Sequence, residues 1–151
     1  EDEIGKLVRF FSALSRQPSP YPFEKLEPLS EDELADARAI FQAGKCLSCH
    51  VTSDDPRTFT IETKAPSYLV GAQRLKPQWL RHWLRDPDKI MPNTVMPAFF
   101  KEVDGLWQTP VLRKEKLRLP DADQIEIMVR YQKFFDETEA EFLLRAEAAG
   151  Q

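Results

Sequence analysis

The only two cysteines of the chain lie in one short segment, residues 46–50, which reads Cys-Leu-Ser-Cys-His. Two thiols separated by one helical turn suit covalent attachment of haem c, because each thiol can add to one vinyl group of the porphyrin. The adjacent His50 is then directed at the iron as an axial ligand. The segment therefore predicts that Cys46 and Cys49 bind haem c and that His50 is a metal ligand.

Three other uses of this segment stay open. A thioredoxin-like redox pair normally follows a strand at the head of a helix, whereas the helix predicted here precedes Cys46. A structural zinc site needs four ligands, and the only other histidine, His82, lies outside the usual spacing. A plain disulfide between Cys46 and Cys49 would close a very small loop and stabilise little.

A haem iron held by His50 has a second axial position that is either filled or open. The candidates to fill it are Met91, Met96, Met128 and His82. Met96 is favoured, because Pro92 and Pro97 stiffen its loop and can hold a thioether against iron at a low entropy cost. Met91 also precedes a proline, and a methionine near aromatic residues is commonly a packing residue, so position alone does not separate the candidates.

The composition predicts one mostly helical domain. A chain of 151 residues with 42% hydrophobic residues can bury one core and is too short for two ordinary domains. Dense alternating runs of Val, Ile and Thr are absent, which argues against an all-β fold. The longest stretch without a charged residue, 90–100, is well below the roughly 18 residues needed to cross a bilayer. The chain starts without the basic and apolar regions of a secretory signal, so we expect any leader to have been removed.

The periodicity of apolar residues divides the chain into an N-terminal part, residues 1–29, and a domain, residues 30–151. Residues 2–14 have the spacing of an amphipathic helix, and the alternate prolines of 17–22 predict a linker. Ser30 and Glu33 form a capping box that begins a helix running into Cys46. We expect a loop over 51–65, a short helix over 66–75, a helix over 77–85 and an ordered loop without regular helix over 86–97. Residues 101–120 are ambiguous.

The last predicted helix begins at Asp121 and carries an inner apolar face. That face contains Ile125, Met128, Val129 and either Gln132 or Phe135, and the helix is predicted to continue through 142–144. The pattern of this helix over 123–131 repeats that of residues 2–10 in the same register. The N-terminal helix is therefore interpreted as the closing helix of a preceding copy of the domain, with chance similarity of two amphipathic helices as the alternative.

The charge distribution bears on partners. A net charge of −4 and a pI near 5.3 argue against nucleic-acid binding, which usually needs a basic face. Residues 45–101 nevertheless carry nine basic and five acidic side chains. This middle segment is either a basic docking face or ordinary surface variation.

Several segments together give a more specific resemblance. They are residues 46–50, Ala65-Pro66, Gly71, Arg74, Trp79-Leu80, residues 83–87 and the stretch Pro-Asn-Thr-Val-Met-Pro-Ala-Phe at 92–99. In this pattern, residues 31–135 resemble class I c-type cytochromes, most closely the bacterial monohaem modules found alone or fused to larger respiratory proteins. The resemblance implies an all-α fold with a few helices and long ordered loops packed around one covalent haem c. It also implies thioether bonds at Cys46 and Cys49, with His50 as proximal and Met96 as distal iron ligand.

The same resemblance implies roles for four further residues. The carbonyl of Pro66 would accept the second ring N–H of His50, while Arg74, Trp79 and Trp83 would line the haem pocket and contact its propionates. The implied function is electron transfer rather than catalysis, from a quinol-oxidising donor to a terminal oxidase or reductase. The implied location is the periplasm or the outer face of the cytoplasmic membrane, because haem c is attached outside the bacterial cytoplasm. A haem domain of a larger redox enzyme, peroxidase-like or multihaem and with a site open to ligand, is the alternative.

Overall fold

In a computed structural model, residues 2–15, 24–53, 65–100, 102–103, 106–107 and 116–149 are described. These residues are mostly helical, which confirms the predicted fold class at the coarse level. Their α-helices are α1 Glu3–Ser15, α2 Glu31–Ala43, α3 Tyr68–Arg74, α4 Pro77–Arg85, α5 Pro87–Ile90, α6 Gln124–Lys133 and α7 Glu137–Ala149. Strands β1 Glu102–Val103 and β2 Leu106–Trp107 form an antiparallel hairpin within the segment that the sequence left ambiguous. Most of the predicted loop at 51–65 lies outside the described residues.

Helix α2 begins as the sequence predicts and ends earlier than predicted. The Glu33 N–H donates to Ser30 Oγ at 3.3 Å and the Ser30 N–H donates to the Glu33 carboxylate at 2.9 Å, which confirms the capping box. The expectation that this helix runs into Cys46 is wrong. The helix ends at Ala43, and Lys45 has the left-handed backbone conformation, with φ 50°, that ordinary helices exclude.

Two other element predictions need correction. Residues 86–97 were expected to contain no regular helix, but Pro87–Ile90 form α5, because a proline at the first helical position needs no N–H partner. The helix predicted to begin at Asp121 is α6, and it begins at Gln124 instead. The Asp123 carboxylate caps it by accepting the Ile125 N–H at 2.9 Å. This helix also does not continue through 142–144, since α6 ends at Lys133.

The start of α7 explains the break after α6. The Asp136 carboxylate accepts the Glu139 N–H at 2.9 Å and so caps a new helix. Within α7, Leu143 is buried while Phe142 and Leu144 are exposed. The C-terminal extension is therefore a separate helix with one buried edge.

The core is built around α6, which packs against α2, α3 and α4. The predicted inner face is confirmed for Ile125, Met128, Val129 and Gln132, which are buried on α6, whereas Phe135 is buried beyond the end of this helix. Four aromatic rings form the centre of the core, and these are Phe41, Tyr68, Tyr131 and Phe135. The core thereby fixes the end of α2 and the start of α3, which flank residues 46–50 on either side.

Ion pairs tie the surface elements to this core. The Arg81 guanidinium on α4 donates to Glu126 at 2.7 Å and to Glu24 at 2.7 Å. Arg130 on α6 pairs with Glu33 at the start of α2. The segment before α2 is consequently attached to α4, and α2 itself to α6, by charge-assisted hydrogen bonds, which are stronger than neutral ones. No helix among the described residues is long and apolar enough to cross a membrane.

Candidate functional site

Cys46 begins a single turn of 3₁₀-helix, Cys46–Ser48, that follows the left-handed Lys45, and Cys49 comes directly after this turn. The Cys46 carbonyl accepts the N–H of Cys49 at 3.2 Å and the N–H of His50 at 2.9 Å. These bonds close the turn, so the two thiols and the imidazole are presented by one compact loop. No disulfide joins the two cysteines.

The Cys46 thiol lies against the C-terminal end of α2. A Cβ atom at Gly44 would come within 3.3 Å of both Cys46 Sγ and the Ile40 carbonyl, so a residue without a side chain allows this close approach. Cys46 also packs against the hydrophobic core, and this burial raises the pKa of its thiol to about 12. Redox-active cysteines need the opposite shift, toward the thiolate. The thioredoxin-like alternative is therefore disfavoured.

The His50 imidazole is oriented by a backbone carbonyl. Its Nδ1 lies 2.7 Å from the carbonyl oxygen of Pro66, the contact that the resemblance implies. Because a carbonyl oxygen only accepts hydrogen bonds, Nδ1 carries the proton and Nε2 is the nitrogen with a free lone pair. Burial lowers the pKa of His50, which further favours the neutral ring that metals bind. A backbone bridge between His50 and Ala65 brings the two segments together.

Sequence reasoning missed a second contact on this imidazole. The Tyr68 ring, at the start of α3, meets the His50 ring edge to face, with centroids 5.3 Å apart and planes at 88°. Tyr68 is buried, and its burial raises the pKa of the phenol well above its usual value. The only sequence signal is an aromatic residue two positions after Pro66, which by itself predicts core packing.

The candidates for the second axial position differ in their surroundings. Met96 is partly buried and packs against the hydrophobic core, and its N–H donates to Thr94 Oγ1 at 3.3 Å. Met91 is 58% exposed and His82 is exposed on α4. Met128 is buried on the inner face of α6. Met96 thus combines an ordered loop with partial burial, and its role as an iron ligand stays a prediction.

The aromatic pair predicted to line a pocket is formed on α4. The Trp79 and Trp83 rings stack with centroids 5.0 Å apart and planes at 14°, and both are partly exposed. Trp79 packs against the same core as Cys46 and Met96. Arg74 is exposed at the end of α3, and its predicted contact with propionates stays a prediction.

The zinc alternative finds little support. Within the part of the chain that the structure describes, no three His, Cys, Asp or Glu side chains come together in a group suited to holding a metal ion. A structural zinc site needs four such ligands.

Comparisons with known proteins add no relative. The chain matches no protein-family model, no curated protein and no solved structure.

Proposed function

We propose that the chain is an electron-transfer domain that carries one covalently attached haem c. The observation that supports this most directly is the hydrogen bond from His50 Nδ1 to the Pro66 carbonyl beside two free thiols. That bond leaves Nε2 as the metal-binding nitrogen and fixes the direction in which it points. When bound, the haem supplies an iron that exchanges one electron between its ferrous and ferric states.

In this proposal the residues of the chain hold the group and leave it no chemistry beyond electron exchange. Cys46 and Cys49 would hold the haem through thioethers, and His50 and Met96 would be the two protein ligands of its iron. With both axial positions filled, no site remains for oxygen or peroxide, so the chain is not an enzyme by itself. Thioether ligation and burial favour the ferrous state and raise the reduction potential relative to a bis-histidine site.

The proposed partners are a quinol-oxidising donor and a terminal oxidase or reductase. The basic residues of the middle segment that are exposed include Lys45, Arg74, Lys76, Arg85 and Lys89. An acidic face on a partner would be steered to them, in a brief encounter of small area. Attachment of haem c places the chain in the periplasm or on the outer face of the cytoplasmic membrane.

The test is expression of the chain with a periplasmic haem-attachment system. We expect a Soret band and a mass that exceeds that of the polypeptide by one haem. Met96→Ala should abolish the methionine-to-iron charge-transfer band of the oxidised protein, whereas the matched control Met91→Ala should keep it. A colourless protein with the mass of its amino acids alone would refute the proposal. Rapid binding of carbon monoxide by the unmodified protein would instead favour the alternative, a haem domain of a larger redox enzyme with an open iron.

We propose further that α1 closes a domain other than residues 30–151. The residues of α1 that match the buried face of α6 are exposed. Ile4, Leu7, Val8 and Phe10 have exposed fractions of 70%, 56%, 45% and 57%. Their counterparts on α6, Ile125, Met128, Val129 and Tyr131, have exposed fractions of 4%, 2%, 0% and 1%. Both helices also begin with an aspartate whose carboxylate accepts a main-chain N–H, as Asp2 does from Gly5 at 2.7 Å. In the proposed second domain, the apolar face of α1 would fill a groove like the one that α6 fills within residues 30–151.

This second proposal predicts different effects of the same substitution at two matched positions. Leu7→Asp should leave haem attachment and the free energy of unfolding of this chain unchanged, because more than half of the Leu7 side chain is exposed. Met128→Asp, at the corresponding position of α6, should prevent folding, because it buries an unpaired charge. If Leu7→Asp lowers the stability as well, α1 belongs to the domain of residues 30–151.

A further inference from the structure

We propose that Tyr68, held in place from α6 by Gln132, is a positioning residue that sets the plane of the His50 imidazole. This inference deepens the proposed function and rests on it, since the plane matters because His50 is taken to bind iron.

The main chain of Tyr68 is fixed on both sides. Its N–H donates to the Val51 carbonyl at 2.8 Å, which ties the start of α3 to the residue directly after His50. Its carbonyl accepts a hydrogen bond from Gln132 Nε2 at 2.8 Å, and this bond is buried. Tyr68 therefore cannot move away from residue 51 or from α6 without losing one of these two hydrogen bonds.

The ring of Tyr68 is fixed as firmly as its main chain. It meets Phe41 at 4.9 Å between centroids and 83° between planes, and Phe135 at 5.1 Å and 68°. Such edge-to-face pairs have a preferred geometry, so the three rings determine one another's orientation. The remaining side of the Tyr68 ring is taken by His50. The imidazole thus packs against a ring that the core has already oriented.

Gln132 has the features of a residue placed for this contact. It lies among the buried residues of α6, is only 6% exposed, and directs its amide at the first turn of α3. A Cβ atom at Gly71 would approach Gln132 Nε2 to 3.2 Å, closer than most side chains tolerate, so the glycine leaves room for the amide. A buried amide is costly unless it is hydrogen-bonded, and here its bond goes to Tyr68.

Two independent contacts then define the imidazole plane. The Pro66 carbonyl sets the direction of the Nδ1–H bond, and a ring can still rotate about that direction. The Tyr68 ring, at 88° to the imidazole, removes this remaining freedom. Contacts made to a metal-binding side chain from the side away from the metal fix its orientation and tune the properties of the metal. The plane of an axial imidazole also determines how unpaired spin is distributed over a ferric porphyrin, which makes the effect measurable.

The experiment is a comparison of two matched pairs of variants by NMR. In the first pair, Tyr68→Leu removes the ring and the control Tyr68→Phe keeps it. In the second pair, Gln132→Leu removes the amide that fixes Tyr68, and the control Gln124→Leu replaces another buried glutamine of α6. The chain has only two histidines, so the His50 ring protons are assigned against those of His82, which serve as an internal reference. In the reduced, diamagnetic protein we expect displaced His50 resonances in Tyr68→Leu and Gln132→Leu and unchanged ones in the two controls.

In the oxidised protein, the spread of the haem methyl resonances should change in the same two variants and in neither control. Equal spectra for Tyr68→Leu and Tyr68→Phe would overturn the inference. If Tyr68→Leu does not fold, Gln132→Leu, which leaves every ring in place, decides the outcome alone. If the purified protein carries no haem, the proposed function fails, and the His50 proton shifts of Gln132→Leu, which keeps the Tyr68 ring and its ring current, still show whether Tyr68 positions the imidazole.

Discussion

Phe41 is the side chain through which the core supports both flanks of the proposed site, and its truncation gives the sharpest test of that packing. The residue is 1% exposed and its ring contacts those of Tyr68, Tyr131 and Phe135. Burial of a phenylalanine contributes about 1.5–3 kcal/mol, and each aromatic pair adds about 0.5–1.5 kcal/mol. Buried Phe→Ala substitutions accordingly cost about 3–5 kcal/mol. Phe41→Ala should therefore lower the free energy of unfolding by about 4 kcal/mol, within the range known for such substitutions.

The assay is urea unfolding of the purified chain, followed by circular dichroism and by tryptophan fluorescence. Phe134→Ala is the matched control, because Phe134 is 43% exposed and lies next to the same cluster in sequence. It should cost no more than about 1 kcal/mol, since a partly exposed ring has little burial to lose. A loss below 1 kcal/mol for Phe41→Ala, or one equal to that of the control, would show that these rings do not support the site as described.

Two further predictions concern the attachment of α2. Arg130 and the capping-box hydrogen bond lower the pKa of Glu33 from 4.5 to about 2, so the ion pair stabilises the fold above pH 4.5 and this contribution is lost as the pH falls toward 2. Glu33→Gln keeps the capping box and should give a shallower loss of stability between pH 4.5 and 2 in acid titrations followed by urea unfolding. Asp36 is 2% exposed, and its carboxylate accepts the main-chain N–H groups of Arg118 and Leu119 at 2.8 and 2.9 Å. Asp36→Ala should therefore lower the free energy of unfolding by about 2–6 kcal/mol in the same assay, because it leaves two N–H groups without a partner.

Each of these has its own control. Asp32→Ala removes an exposed carboxylate of the same helix and should change the free energy of unfolding by about 0–1 kcal/mol. An equal effect of Asp32→Ala and Asp36→Ala would contradict the assigned role of the buried carboxylate. For Glu33, an acid profile of Glu33→Gln that follows the unmodified chain would show that the ion pair with Arg130 does not set the pH dependence.

The parts of the fold that sequence predicts here are those determined by neighbouring residues. The capping box at Ser30, the proline at the start of α4 and the apolar spacing of α6 each act within one or two helical turns. Residues 46–50 predict their chemistry for the same reason, because all the reactive groups are adjacent. The hydrogen bond from His50 to Pro66 was implied only by the resemblance, and its partner lies sixteen residues away.

What sequence reasoning missed depends on contacts between distant elements. Nothing local indicates that the amide of Gln132 binds the carbonyl of Tyr68, 64 residues away. The early end of α2 had a local signal, because Gly44 directly follows the last helical residue and caps the helix, but the apolar spacing through Gly44 masked it. The break before α7 also had a local signal, since Asp136 and Glu139 have capping-box spacing, but the apolar residues on either side masked it.

The ion pair of Arg81 with Glu24 would limit how far the proposed second domain, the one closed by α1, could move. Only eight residues separate the end of α1 at Ser15 from Glu24, so even a fully stretched connection reaches about 30 Å. A domain closed by α1 would therefore be tethered close to residues 30–151, at an effective concentration on the order of millimolar. Two redox groups arranged in this way would exchange electrons without waiting for a diffusional encounter.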